Sequence, residues 1–486
     1  YKVSSMNCVY IENGGVYNYP KKTDFYNPSR LYPEYPWGKD EISSIPNDVY
    51  DMLRNTLYGM GYDKANFGKC NWNPLGDVIK PGQTVLLKPN WVSHKNKVYK
   101  GDPSLTCLVT HPSLIRAILD YVVIALKGEG KIILGDAPMQ GTDLDEMFEL
   151  AGYNQLFSFI NRKGITVDIC DFRKYKCVFH KGVSNELTLI DSPYKSKVVD
   201  LGSNSLHAEN DKKEYVYKVS DYDYNLTKNY HDKGIHRYEI NEAVLLADVV
   251  INIPKPKTHR LAGITGAMKN FVGITYEKAS LPHRAIGDKE SGTGDAYDKK
   301  SILKMYMEYI DNRQTICSVK GRIVMAKLLD FLKKSLYILG VLFSGDKYRI
   351  GSWYGNDTIW RTVVDLNHIV MYANKEGNIC DLPQREILNI GDMIICGEKE
   401  GPVGPSPKPL GIIMMSDDMF IFDYTLSKIM QLECHEIPHI RFILDQYGYV
   451  LNAFIHSNNK EISDKKVSDV RFPKKWRFEA HSCWKN

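Results

Sequence analysis

Two short apolar runs with one helix between them constrain this chain most. Residues 82–88 hold Val85-Leu-Leu87 between Pro81 and Pro89, and residues 131–136 hold Ile132-Ile-Leu134 just after Gly128 and Gly130. Between them Pro112 stands where a first helical residue belongs, and residues 114–126 space their apolar side chains helically. Buried strand, helix and buried strand at these lengths form a βαβ unit, which calls for a parallel sheet. Residues 249–253, stopped by Pro254, repeat the apolar run, and residues 393–396 and 410–415 repeat it twice more around a Gly/Pro loop. The expected fold class is α/β, a mainly parallel sheet flanked by helices, with an irregular middle section and insertions.

Residues 1–75 read as an irregular Tyr/Pro-rich extension that ends in a helix over 47–60. Residues 76–455 read as the α/β domain, with insertions near 175–240 and 280–360, and residues 456–486 as a C-terminal tail. Within the second insertion, residues 302–309 and 323–343 are helical in pattern. The latter stretch places Lys327, Asp330, Lys333 and Lys334 on a polar side, which predicts a surface helix with its apolar side on the core, the alternative being a helix lying on a membrane surface.

Composition narrows the function. The chain has 486 residues, 43% hydrophobic and 25% charged, which excludes disorder and coiled coil. A net charge of +5 is mild for this length and argues against nucleic acid as a partner. Ten cysteines are scattered with no Cys-x-x-Cys pair, so no iron–sulfur cluster or zinc ribbon is expected, and a reducing, cytoplasmic location is. Residues 335–343, the longest apolar stretch, fall short of the about 20 residues a membrane span needs. No signal segment is visible at the start, which opens on Tyr1.

Ligands of open α/β sheets bind beyond the carboxyl ends of strands, and five such ends are polar here. They carry Lys88 and Asn90, then Asp136, then Lys257 and His259, then Gly401 and Gly404, then Ser416-Asp-Asp418. Lys257 and His259, two apart in an extended segment, point the same way, and Lys269-Asn270 follows a Gly-rich stretch. Such groups suit phosphate or carboxylate. Alternatively they are two solvated lysines and a surface histidine. His111, before Pro112, is either a helix cap or a positioned base. Asp136 and Asp418 are candidate ligands of a divalent metal, while Asp143 and Asp417, the other carboxylates at these strand ends, equally suit first-turn helix positions. The Glu433, His435 and His439 spacing is broken by Pro438 and reads as core or surface histidines. No Gly-x-Gly-x-x-Gly, Walker loop or Gly-x-Ser-x-Gly elbow is present.

At these residues the chain resembles the family known as domain of unknown function 362. The likeness lies in Leu87-Lys-Pro-Asn90, Thr110-His-Pro112, Gly135-Asp-Ala-Pro138, the Ile251 to His259 segment, Met268-Lys-Asn-Phe-Val-Gly273, Gly401-Pro-Val-Gly404 and the Leu410 to Asp423 segment, in order over about residues 80–430. The resemblance implies no common reaction. Some members carry a ferredoxin-type iron–sulfur module, whose clustered cysteines this chain lacks. A fainter likeness, in architecture and in the Thr-His-Pro helix start, is to nickel-pincer lactate racemases.

The expected function is an enzyme that binds a small anionic metabolite bearing phosphate or carboxylate, by acid/base or metal-assisted chemistry. His259, His111 and Lys257 are the expected catalytic residues; Lys88, Asn90, Lys269, Asn270, Gly401 and Gly404 are expected to bind ligand. The alternatives are a non-catalytic anion-binding or scaffold protein and, by architectural analogy, a racemase-like enzyme.

Overall fold

The computed structural model describes residues 7–100, 105–180, 183–219, 222–344 and 349–484. Tyr1 and Asp221 lie outside them. An 11-stranded sheet organises the chain. Its strands are β1 (Cys8–Asn13), β2 (Thr84–Lys88), β3 (Lys131–Asp136), β4 (Val167–Asp171), β5 (Val249–Asn252), β6 (Lys257–His259), β7 (Gly263–Thr265), β8 (Glu386–Glu400), β9 (Gly404–Ser416), β10 (Phe454–Ser457) and β11 (Lys465–Lys466). Their order is β11-β10-β1-β9-β8-β5-β2-β3-β4, with β6 beside β8 and β7 beside β6. Strands β8, β5, β2, β3 and β4 run parallel, while β9 is antiparallel to both β8 and β1.

The period of two along each strand makes both faces apolar. Val85, Leu87, Ile132, Leu134, Val249 and Ile251 enter one core, and Leu86, Ile133 and Val250 enter the other. The helices that position the features below are α1 (Asp48–Gly59), α2 (Pro112–Leu126), α3 (Leu144–Ala151), α4 (Tyr153–Lys163), α5 (Ala267–Asn270), α6 (Ile302–Val319), α7 (Ile323–Ser344), α8 (Ile359–Tyr372), α9 (Met419–Met430) and α10 (Pro438–Gln446). Helices α1, α2, α3 and α4 cover the first face; α8, α9 and α10 cover the second. Pro112 is the first residue of α2, and the His111 ring caps that helix by accepting the Ser113 N–H.

Three expectations are corrected. Residues 393–396 and 410–415 are parts of one long hairpin, because the pairing runs on through polar residues from Asn389↔Ser416 to Glu400↔Gly404. Asn389, Asn252 and Lys88 lie level across β8, β5 and β2, so the hairpin runs on past the carboxyl ends of the parallel strands. Strand β9 returns from its tip, and Ser416-Asp-Asp418 therefore leaves the sheet against the direction of the other polar strand ends. The N-terminal segment is not wholly irregular, since β1 lies between β10 and β9. Finally, α7 does not turn its apolar side to the core: Asp330 is buried, whereas Phe331, Leu342 and Phe343 are exposed.

Candidate functional site

Where β2 and β5 end, level with Asn389 near the start of β8, the structure builds a directional chain of amides. Lys257 Nζ donates to Asn90 Oδ1 (3.0 Å), Asn90 Nδ2 to Asn270 Oδ1 (2.9 Å), Asn270 Nδ2 to Asn252 Oδ1 (2.8 Å) and Asn252 Nδ2 to Asn389 Oδ1 (2.9 Å). Asn389 Nδ2 finishes it on the Ser416 carbonyl at 3.2 Å. An asparagine both accepts and donates, so four in a row leave every link satisfied inside a buried layer. Lys257 also donates to the Lys255 carbonyl (3.0 Å), and burial, followed by the Lys255 charge, pushes its pKa down to about 7.

Lys88 and Asp136 stand beside this chain. Lys88 Nζ is 2.6 Å from Asp136 Oδ1, and Asp136 also accepts the N–H groups of Trp91 (2.6 Å) and Ala137 (2.9 Å). Lys88 is fully buried and ion-paired, so it is a structural group of the site floor and does not line an open cleft. A second buried pair lies toward α2. Lys255 Nζ is 3.1 Å from Asp392 Oδ2 and donates to the Tyr19 hydroxyl (2.5 Å), which in turn donates to Asp392 Oδ1 (2.5 Å). Asp392 Oδ2 also accepts the His111 N–H (2.8 Å), and the Tyr19 ring stacks on His111 with centroids 4.0 Å apart. Burial, with the Lys255 charge next, holds the His111 ring well below its usual pKa. His111 forms one wall of a cavity of about 410 Å³ whose other lining groups include Lys22, His94, Lys95 and Lys100.

The third group surrounds α5. Lys269 is buried, and burial alone pushes it down to about 8. Among the described residues no hydrogen bond or ion pair engages its ammonium. Three histidines feel its charge: His259 is held well below its usual pKa, and His283 and His439 are each lowered to about 3, in all three chiefly by burial. His259 Nδ1 accepts the N–H groups of Leu261 and Ala262, both at 3.1 Å. The proton of the neutral ring is therefore on Nε2. Asp423 accepts the Ala267 N–H (2.6 Å) and the Met268 N–H (3.1 Å), fixing the start of α5, and burial raises its carboxyl to about 7.

The structure thus joins Asn90, Lys257 and Asn270 in one network, sets Lys88 and Asp136 beside it, and places Lys269 next to Asn270 with His259 near. Gly401 and Gly404 are packing positions. A Cβ at Gly401 would lie 1.8 Å from the Thr258 carbonyl oxygen, and one at Gly404 would lie 2.5 Å from Val98. Asp136 and Asp418 do not meet. Asp418 caps α9, its Oδ1 accepting from Phe420 (2.7 Å) and Ile421 (3.0 Å) and its Oδ2 accepting from Tyr449 at 2.5 Å. Among the described residues no group of three or more His, Cys, Asp and Glu is placed to hold a metal ion. Sequence reasoning missed the roles of Asn252, Asn389, Lys255, Asp392 and His283. Asn252 and Lys255 lay inside the Ile251 to His259 segment, but Asn389 and Asp392 had no local signal, since their partners Asn252 and Lys255 are far away in the chain.

A family model described as Domain of unknown function (DUF362) matches residues 85–199 and 187–428. The chain belongs to that family. The matched span contains β2 through β9, and with them the amide chain, Lys269 and His259. No curated protein matches the chain. Two solved structures share a slight backbone likeness. A crystal structure of a protein from Thermotoga maritima is 11% identical, with a TM-score of 0.31, over 78% of this chain and 59% of that one. The lactate racemase apoprotein from Thermoanaerobacterium thermosaccharolyticum is 12% identical, with a TM-score of 0.29, over 79% of this chain and 55% of that one. The chain spans less than two thirds of either, and no residue role is carried across from them.

Proposed function

We propose that this member of the DUF362 family is an enzyme that binds a small phosphate- or carboxylate-bearing metabolite against Lys269 and His259. The observation that carries this reading is the buried Lys269 ammonium, whose charge reaches His259, His283 and His439 and which, among the described residues, has no hydrogen bond or ion pair. An uncompensated buried cation is costly, and an anionic ligand removes that cost. His259 presents Nε2–H, which makes it a donor to the ligand or to a developing oxyanion and not the resting base. The base is Lys257, whose pKa near 7 leaves much of it neutral at physiological pH and whose Nζ is tied through Asn90 to Asn270.

A second reading rests on the cavity beside His111, lined by Lys22, Lys95 and Lys100. Calorimetric titration with inorganic phosphate and with malonate separates the two. On the first reading Lys269→Met abolishes binding and Lys22→Met preserves it. The reverse pattern moves the ligand to the His111 cavity, and no binding by the unaltered chain removes both readings.

A further inference from the structure

Helices α6 and α7 pack together as a hairpin that buries many polar groups, beside Met307, Ile310 and Ala326, and leaves many apolar ones outside. Its buried positions include Glu308, Asn312, Gln314, Thr315, Ser318 and Asp330. Many of its outward positions are apolar: Val324 and Phe343 are each 86% exposed, Leu342 72% and Phe331 70%, and Met305 and Tyr306 on α6 are exposed as well. Scattered apolar residues on a surface need no explanation, but a contiguous row along two helices marks an interaction face.

Charge says what that face meets. Residues 299–344 hold nine Lys and Arg against three Asp and Glu, a net +6, whereas the entire chain is only +5. All three acids are engaged inside: Glu308 with Arg284 (2.9 Å), Asp311 with Lys218 (2.7 Å) and Lys333 (2.8 Å), and Asp330 with Lys334 (2.5 Å). Lys299, Lys300, Arg313, Lys320, Arg322 and Lys327 are left on the exposed surface. Two copies of such a hairpin, face to face, would set +6 against +6, which disfavours self-association.

We propose that the α6–α7 hairpin docks this protein on an anionic lipid surface. The apolar row enters the headgroup boundary while the surrounding lysines and arginines contact acidic lipid headgroups. Helix α7, with 22 residues, is about 33 Å long. Among the described residues no helix is long and apolar enough to cross a membrane, so the hairpin lies in the interface. This inference is independent of the ligand bound at Lys269.

Vesicle flotation of the full chain tests it, with phosphatidylcholine vesicles made with and without phosphatidylglycerol. The chain floats with the anionic vesicles, less so at high salt, and stays behind with neutral ones. A variant with Phe331→Ser and Phe343→Ser, and another with Lys320→Glu, Arg322→Glu and Lys327→Glu, each weaken binding at least about tenfold. Both alter exposed positions, so their thermal midpoints stay near that of the parent chain. No flotation with anionic vesicles, or unchanged binding by both variants, overturns the proposal. Self-association that Phe331→Ser and Phe343→Ser abolish would assign the face to a second copy and overturn it equally.

Discussion

Asn90 Nδ2 donates to Asn270 Oδ1 at 2.9 Å, a contact between residues 180 positions apart. It joins the carboxyl end of β2 to α5, and so connects Lys257, held by Asn90, with Lys269, the neighbour of Asn270. Each amide in the chain depends on the next for one bond, so the layer holds a single arrangement.

Asn270→Leu removes the acceptor for Asn90 and the donor for Asn252 together. Each buried polar group left unsatisfied costs about 1–3 kcal/mol, so a loss of about 2–6 kcal/mol is expected in chemical denaturation. A loss under about 1 kcal/mol would show that the amide layer relaxes or admits water.

The Lys88–Asp136 pair is tested by Asp136→Asn. Removing one partner of a buried pair leaves the other charge uncompensated, at a cost of about 3–5 kcal/mol, whereas Lys88→Met combined with Asp136→Asn, which keeps an acceptor for the Trp91 N–H, should be milder. Gly273 closes over this pair, and its Cβ would lie 1.9 Å from Asp136 Oδ1. Gly273→Ala should therefore cost about 1–3 kcal/mol and separate Lys88 from its partner.

The lowered pKa of Lys257 fixes a sign for stability against pH. The unfolded lysine stays protonated to its ordinary value near 10.5, while the folded one releases its proton through about 7. Between these values the unfolded state binds more protons, so stability rises with pH, by at most about 1.4 kcal/mol per unit from this group. Relative to Lys257→Met, the parent chain should gain stability from pH 7 upward. Parallel curves would place the Lys257 pKa near its ordinary value.

The strands were legible because Val85-Leu-Leu87 and its counterparts bury both alternating faces, leaving an unbroken apolar run. The Pro112 start of α2 was legible because its signal is local. The extent of the β8–β9 hairpin was not, since Glu398 to Pro409 pairs through backbone groups with polar and proline residues along it. The orientation of α7 was hidden for another reason: periodicity shows that a helix has two unlike sides, not which one faces the core. Lys257, Lys269 and His259 stood out in the sequence by their places after strands and glycines. Asn252, Asn389 and Asp392 look like ordinary strand residues until the sheet sets them level or brings Lys255 to them.

Phosphate affinity measured against pH, on the parent chain and on Lys269→Met, tests the central claim most directly. With the Lys269 pKa near 8, the ammonium is charged below that value and lost above it. Beyond the second ionisation of phosphate near its own pKa, affinity should therefore hold up to about pH 8 and fall up to about tenfold per unit above it, with proton uptake on binding near pH 8. Lys269→Met should bind at no pH in the range. Phosphate bound equally well by that variant, or an affinity that ignores the passage through pH 8, would contradict an anion site at Lys269.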